Sequence, residues 1–388
     1  MKPPANKFNF IEKELEERKS RHHLRYLRTI VPHSGVEVTV NGRPMLNFSS
    51  NDYLGLSGHP QLKQRAIEFM ERYGAGSTAS RLICGTYECF DQVEQKLAAL
   101  KGTESALLLS SGFQANVSIL PALTDRHSLI LSDRLNHRSL VEGALLSRCQ
   151  MIRFRHNDLD HLRQLLEENQ EKNHSRTLIV TESVFSVDGD RSNIDALVKL
   201  AEEFQALLII DEAHATGVLG TRGMGLTCGK NVDLTIGTSG KALGSFGSYI
   251  TCSKTMRDYF INCCAGFIYT TALPPSVVGA IDAALDIIPV MEVERHELQR
   301  GAEFVRTSLQ ELGWNTGNSS TQIIPVIVRE EKGTLELSEW LEEQGILAVG
   351  IRPPTVEKGQ ARIRLALSAS HTQEHLEKLI DAFRRWTG

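Results

Sequence analysis

The chain lacks a large excess of either charge: 43 Lys and Arg stand against 47 Asp and Glu, a net charge of −4. That balance argues against nucleic acid or an anionic membrane surface as its main partner. A disulfide framework is missing too. The seven cysteines are an odd number, form no C-x-x-C pair and include the adjacent Cys263 and Cys264, which suits free thiols in a reducing cytosol. The opening MKPPANKFNF holds no apolar core of the secretory kind, so no export signal is expected and the protein is expected to be cytoplasmic. The longest charge-free stretch, residues 259–281, is interrupted by Pro274 and Pro275, so it reads as a buried loop entering a helix rather than a membrane span.

Three ligand signatures also fail. A phosphate loop needs four residues between its glycines and Ser or Thr after its lysine; here two residues separate Gly237 from Gly240, and Ala242 follows Lys241. Residues 74–81, GAGSTASR, have the G-x-G-x-x-A spacing of a dinucleotide site, but a helix is predicted before them where a strand is required. They read instead as a glycine loop beside a site. His371 and His375 lie four apart, but the intervening Thr-Gln-Glu does not make H-E-x-x-H and no third ligand is evident. No metal is expected, and the two histidines read as helix-capping or surface residues.

What the chain does contain is alternation. Its 388 residues, 41% apolar, suffice for one large or two moderate domains. Residues 11–28 read as a charged amphipathic helix. Residues 36–40 and 44–48 flank Asn41-Gly42, a two-residue hairpin signal. Pro60 opens a helix to about Tyr73. From Glu88 onward, helices 91–100, one from Gly112, 139–146, 159–168 and 194–204 alternate with apolar strands 106–110, 129–132, 151–154, 178–181, 207–210 and 234–236. Short, nearly continuous apolar strands between helices predict an α/β fold with a mainly parallel sheet covered on both faces. A smaller α+β C-terminal domain follows, with a long helix from about Ser276, strands 323–328, 346–349 and 362–367, and helices 335–344 and 372–386. The expected boundaries are an arm over 1–45, a large domain over 46–285 and the C-terminal domain over 286–388.

Ligands of such sheets bind beyond the carboxyl ends of the strands, so informative residues should follow strands. They do. Ser111, Gly112 and Phe113 follow one strand and open a helix, whose free N–H groups make a phosphate cradle. Asn136 and His137, Glu182 and Ser186, Asp211 and His214, and Thr238 and Lys241 follow four others. Singly, each suits a cap or a turn; five such sites at one crevice do not. Asp188 and Asp190 read as shaping a turn.

A phosphate cradle, a strand-end carboxylate, an imidazole and a lysine between glycines suit pyridoxal 5′-phosphate. A lysine in a tight pocket loses its charge readily and becomes an imine-forming nucleophile. Asp211 would keep the pyridine nitrogen protonated, His137 could stack on the ring, and Ser186 and His214 could reach its hydroxyl.

The motifs LNFSSNDYLGL, SSGFQAN, DRLNHRSL, TESVFSVDGD, DEAHATGVLG, GTSGKALG, YTTALPP and IRPPTV resemble those of the α-oxoamine synthases, from about Phe10 to the C-terminus. These are fold-type I pyridoxal-phosphate transferases that join an amino acid to an acyl thioester with loss of carbon dioxide. The resemblance implies that Lys241 is the imine lysine and the base at Cα, that Asp211 pairs with the pyridine nitrogen, and that His137 stacks over the ring. It implies cofactor contacts from Ser186 and His214, and phosphate contacts from Gly112, Phe113 and Thr238. Thr270 or Thr271 would reach the phosphate of the neighbouring subunit of a homodimer with shared active sites. Asn51 and Arg352 would hold the amino-acid carboxylate, and Arg25 and Thr355 would contact substrate. IRPPTV followed by ARIRL points to the branch that joins L-alanine to a pimeloyl group, carried on CoA or acyl carrier protein, in biotin biosynthesis. The loop RLICGT at 81–86 also resembles the alternative branch, which uses glycine and acetyl-CoA, and Ala215 stands where glycine is frequent in the family.

Overall fold

The computed structural model describes residues 7–387. Residues 1–6, part of the stretch read as lacking an export signal, lie outside the described residues. The chain divides into two compact units, Asn51–Gln299, and Met1–Ser50 together with Arg300–Gly388. The cuts fall at 50/51 and 299/300 rather than the expected 45/46 and 285/286, and the N-terminal segment shares a unit with the C-terminal one.

The first unit is built on a seven-stranded sheet. Across it run Ser105–Leu109, Ser248–Cys252, Leu234–Thr238, Leu207–Asp211, Thr177–Glu182, Leu129–Asp133 and Gln150–Phe154. The last five pair in parallel, whereas Ser248–Cys252 is antiparallel to both its neighbours. Leu129, Leu131, Ile179, Leu208 and Ile210 pack one face, while Ile130, Leu178, Val180, Ile209 and Ile236 pack the other. Both faces are therefore apolar, and the period-two alternation of a half-exposed strand is absent.

The strand Ser248–Cys252 is absent from the sequence reading. Its SYITC is short and half polar, and it follows the glycine-rich lysine segment, so it resembles the tail of that loop. The long C-terminal helix is also interrupted, into Pro275–Ile287, a single 3₁₀ turn Ile288–Val290, and Glu292–Glu311. Pro289 cannot donate the backbone bond that would continue it. Beneath the sheet's end, Lys101 donates to Glu212 at 2.7 Å with both side chains buried. Burial pushes the Lys101 pKa down, but the Glu212 carboxylate more than offsets this and the pKa is raised.

The second unit carries a hairpin, Glu37–Val40 with Arg43–Asn47, whose turn residues Asn41 and Gly42 have φ of 49° and 79°, as an Asn-Gly turn demands. The predicted strand over 346–349 divides. Ile346–Leu347 joins the hairpin's sheet, and Val349–Ile351 joins a sheet with Ala361–Ala366 and Ile323–Arg329. The N-terminal helix is Asn9–Ser20, starting two residues before and ending eight residues before the predicted 11–28, with His22 at φ 58° beyond its end. None of its residues is buried, so no apolar face extends it. His375 completes a capping box with Thr372, and His371 stacks on Phe48 at 4.0 Å. Among the described residues no helix is long and apolar enough to cross a membrane.

Candidate active site

The parallel strands end on Asp133, Glu182, Asp211 and Thr238, and the register sets Glu182 beside Asp211. The lysine stretch leaves the sheet from Thr238, and two of its glycines are required by what touches them. A Cβ on Gly237 would meet the Tyr249 ring at 2.1 Å, and one on Gly244, at φ 63°, would meet the Leu56 backbone at 2.5 Å. The loop that begins at Asn51 is thereby seated against the lysine segment.

Lys241 reaches His214. Lys241 Nζ lies 2.7 Å from His214 Nε2, and His214 Nδ1 lies 2.6 Å from the hydroxyl of Tyr53. Tyr53 is fully buried, and its hydroxyl donates to Asn51 Oδ1 at 3.0 Å. Asn51, Tyr53, His214 and Lys241 thus form one hydrogen-bonded row. Tyr53 was not singled out from the sequence, although it lies within the quoted NDYLG.

Asp211 is buried, accepting from Asn116 Nδ2 at 2.8 Å and from the Ala213 N–H at 2.9 Å. Asn116 also donates to Ser139 Oγ at 2.9 Å, and that hydroxyl lies 2.7 Å from His137 Nδ1. Asn116 and Ser139 are further residues that the sequence reading passed over. Asn116 lies one helical turn after Gly112, and Ser139 two residues after His137, so both were inside quoted motifs. His137 is an exposed residue, yet desolvation by the surrounding protein holds its pKa below the ordinary imidazole value; Asp211 opposes this and Lys241 adds to it. Glu182 is buried and accepts from the His137 N–H at 2.5 Å. Burial, then the neighbouring Asp211, raises its pKa well above the carboxylate range, against the His137 N–H and Lys241. The protonated form of Glu182 is thereby favoured beside Asp211.

Ser111 caps the helix Gly112–Leu123 by accepting from the Gln114 N–H. The N–H groups of Gly112 and Phe113 take no acceptor among the described residues. A Cβ on Gly112 would lie 3.9 Å from Thr238 Cβ, so the cradle and the start of the lysine stretch are neighbours. Thr270 and Thr271 sit on a segment that pairs with the 74–81 loop, through the Ser80–Thr271 bridge and the Ala272 N–H to Ala79 carbonyl bond. In the adjoining RLICGT loop, Arg81 turns inward onto buried Glu94, at 2.8 and 3.2 Å, and stacks on Phe90.

Ser186 rides on the turn between Val184 and Arg191. Asp190 does more than shape that turn. His156 lies 2.8 Å from Asp190 and 2.9 Å from Asp133, with its ring edge-on to Phe185. Burial pushes the His156 pKa down, but hydrogen bonds and charge from the two aspartates raise it to about 10. A raised folded-state pKa means the stabilisation is complete below the unfolded value, about 6.5, and is lost as pH climbs towards 10. Denaturation midpoints should therefore fall between about pH 7 and 10, and His156→Gln should flatten that slope and cost roughly 3–5 kcal/mol at neutral pH. Urea titrations of both proteins across this range check it; an unchanged slope in the variant would refute the bridge's role.

Three predicted site residues belong to the other unit and gather there. Arg25 donates to Thr355 Oγ1 at 3.0 Å, and Arg352 donates to the His22 carbonyl. Burial, then the charges of Arg25 and Arg28, hold Arg352 below the ordinary guanidinium pKa.

Residues 43–383 match the family described as aminotransferase class I and II. The chain belongs to that family. Among its relatives is an 8-amino-7-oxononanoate synthase from Gluconacetobacter diazotrophicus, 50% identical over 381 residues and covering 96% of each chain. Two solved structures resemble it throughout. A serine palmitoyltransferase from Sphingomonas wittichii is 26% identical with a TM-score of 0.91, covering 98% of both chains. An 8-amino-7-oxononanoate synthase from Francisella tularensis is 26% identical with a TM-score of 0.75, covering 88% of this chain and 97% of that one. Family membership and these neighbours agree with the fold-type I architecture that the motifs imply.

Proposed function

We propose that this enzyme condenses L-alanine with a pimeloyl thioester, releasing carbon dioxide, a free thiol and 8-amino-7-oxononanoate, an acyl transfer of biotin biosynthesis. The observation that carries the reading is the row from Asn51 to Lys241 beside Asp211, in a chain half identical, over nearly its full length, to a protein of that name. The alternative, a sister synthase using glycine and acetyl-CoA, is not favoured by relatives at this identity.

The site fits pyridoxal 5′-phosphate by its donor set. Two N–H groups at a helix start stand near Thr238, and Ser239 Oγ is buried without a partner among the described residues. Bound there, the cofactor supplies an electron sink for the charge left at Cα when its proton departs. Lys241 is the proposed covalent anchor, and its Nζ the base that takes the alanine Cα proton. Asp211 would face the pyridine nitrogen, His137 the ring face, and Ser186 and His214 the ring hydroxyl. Gly112, Phe113 and Thr238 would hold the phosphate, with Thr270 or Thr271 serving a second subunit's phosphate in a cytoplasmic homodimer. For Arg25, Arg352, Thr355 and Asn51 the proposed role is binding substrate, chiefly its carboxylates.

The test is a paired assay of the purified enzyme. Alanine with pimeloyl-CoA or pimeloyl-acyl carrier protein should yield carbon dioxide and 8-amino-7-oxononanoate by mass spectrometry. Faster turnover with glycine and acetyl-CoA would overturn the substrate assignment, and the two pimeloyl donors compared directly identify the carrier.

A further inference from the structure

The polar contacts beneath His137 run in one direction. A carboxylate offers only lone pairs, so the Asn116 group 2.8 Å from Asp211 Oδ2 is the amide nitrogen, not its oxygen. The second hydrogen of that nitrogen goes to Ser139 Oγ at 2.9 Å. The serine still has its own proton to give, and His137 Nδ1 lies 2.7 Å from its oxygen. The Ser139 N–H approaches the same nitrogen at 3.3 Å. Nδ1 is therefore an acceptor twice over, and the neutral ring carries its proton on Nε2. Asn116 and Ser139 are each 1% exposed and Asp211 6%, so water does not compete for these bonds.

We infer that Asn116 and Ser139 are positioning residues that transmit the acceptor character of Asp211 to His137 and hold it as the Nε2–H tautomer. They thereby present that N–H to an oxygen acceptor of the bound substrate. The inference rests on the site assignment above, but not on which acyl group is used. The same chain stops the ring from turning over. With Nδ1 protonated instead, the Ser139 N–H would face a second N–H at 3.3 Å and lose its acceptor, and the Ser139 hydroxyl would have to turn its own proton elsewhere.

The test is ¹⁵N NMR of the full-length holoenzyme labelled with [¹⁵N]histidine, with His137 assigned by comparison with His137→Gln. His137 Nδ1 is expected at a pyridine-type shift and Nε2 at a pyrrole-type shift. Ser139→Ala should move the tautomer ratio by about tenfold, as loss of one hydrogen bond does. Ser139→Thr, which keeps the hydroxyl, should restore the ratio, and Asn116→Leu should shift it in the same direction as Ser139→Ala. In the assay, Ser139→Ala should lower kcat/KM for the thioester with unchanged cofactor absorption. A proton on Nδ1 in the native enzyme, or a ratio unmoved in Ser139→Ala, overturns the inference. Because the spectra contain no substrate, a wrong substrate assignment leaves them unaffected, and a wrong tautomer fails even if the paired assay succeeds.

Discussion

Lys241→Ala is expected to lose at least roughly 10⁴-fold in kcat while keeping the fold and binding pyridoxal phosphate noncovalently. Lys241 has two proposed tasks, anchoring the cofactor and moving the Cα proton, and its amine lies 2.7 Å from His214 Nε2. Its native neighbour His214 keeps its Tyr53 contact but loses its lysine. The fold should tolerate the change, because Lys241 is half-buried at a crevice and not part of the core. Steady-state kinetics with thermal melts of the same preparations check this. Turnover within tenfold of the native enzyme would remove Lys241 from the chemistry.

Asp211→Asn should lower kcat/KM by roughly 10²–10³, the scale of losing one electrostatic partner at a reacting group. Asp211 accepts on both oxygens, from Asn116 Nδ2 and from the Ala213 N–H. An asparagine has one oxygen, so its amide nitrogen must face one of those donors, leaving a buried donor unmet at a cost of about 1–3 kcal/mol. The cofactor's pyridine nitrogen would lose its anionic partner as well. The variant should bind cofactor with altered absorption and show a modestly lower melting temperature. Native kcat/KM would contradict the role.

Much of the first unit was legible because its signals are local. Helix Ile194–Phe204 matches its predicted limits at both ends, since Asn193 caps it and apolar residues recur at helical spacing. Strand Leu207–Asp211 was read to within one residue from an unbroken apolar run. The N-terminal helix ran long in the reading because a charged pattern with no buried face carries no stop signal of its own. Ser248–Cys252 was lost because its partners, Ser105–Leu109 and Leu234–Thr238, lie on either side of it in space and far apart in sequence.

The site divides along the same line. Residues directly after parallel strands, such as Asp211, His214 and Lys241, follow from the fold class. Asn51 precedes the sheet, and only the family resemblance singles it out. Tyr53, Asn116 and Ser139 act through other side chains, and their roles appear only when distances are known. His156 reads as an ordinary loop histidine until Asp133 and Asp190, 23 and 34 residues away, are seen on its two nitrogens. Glu182 was marked as a strand-end residue, but the upward push on its pKa comes from burial and the neighbouring Asp211, which only the structure shows.

The most direct test of the central claim is where the cofactor attaches. Holoenzyme reduced with borohydride, digested and mapped by mass spectrometry should carry the pyridoxal phosphate increment on the peptide containing Lys241 and lose its visible absorption on reduction. The increment on a different lysine, or a purified protein that takes up no pyridoxal phosphate, would contradict the account.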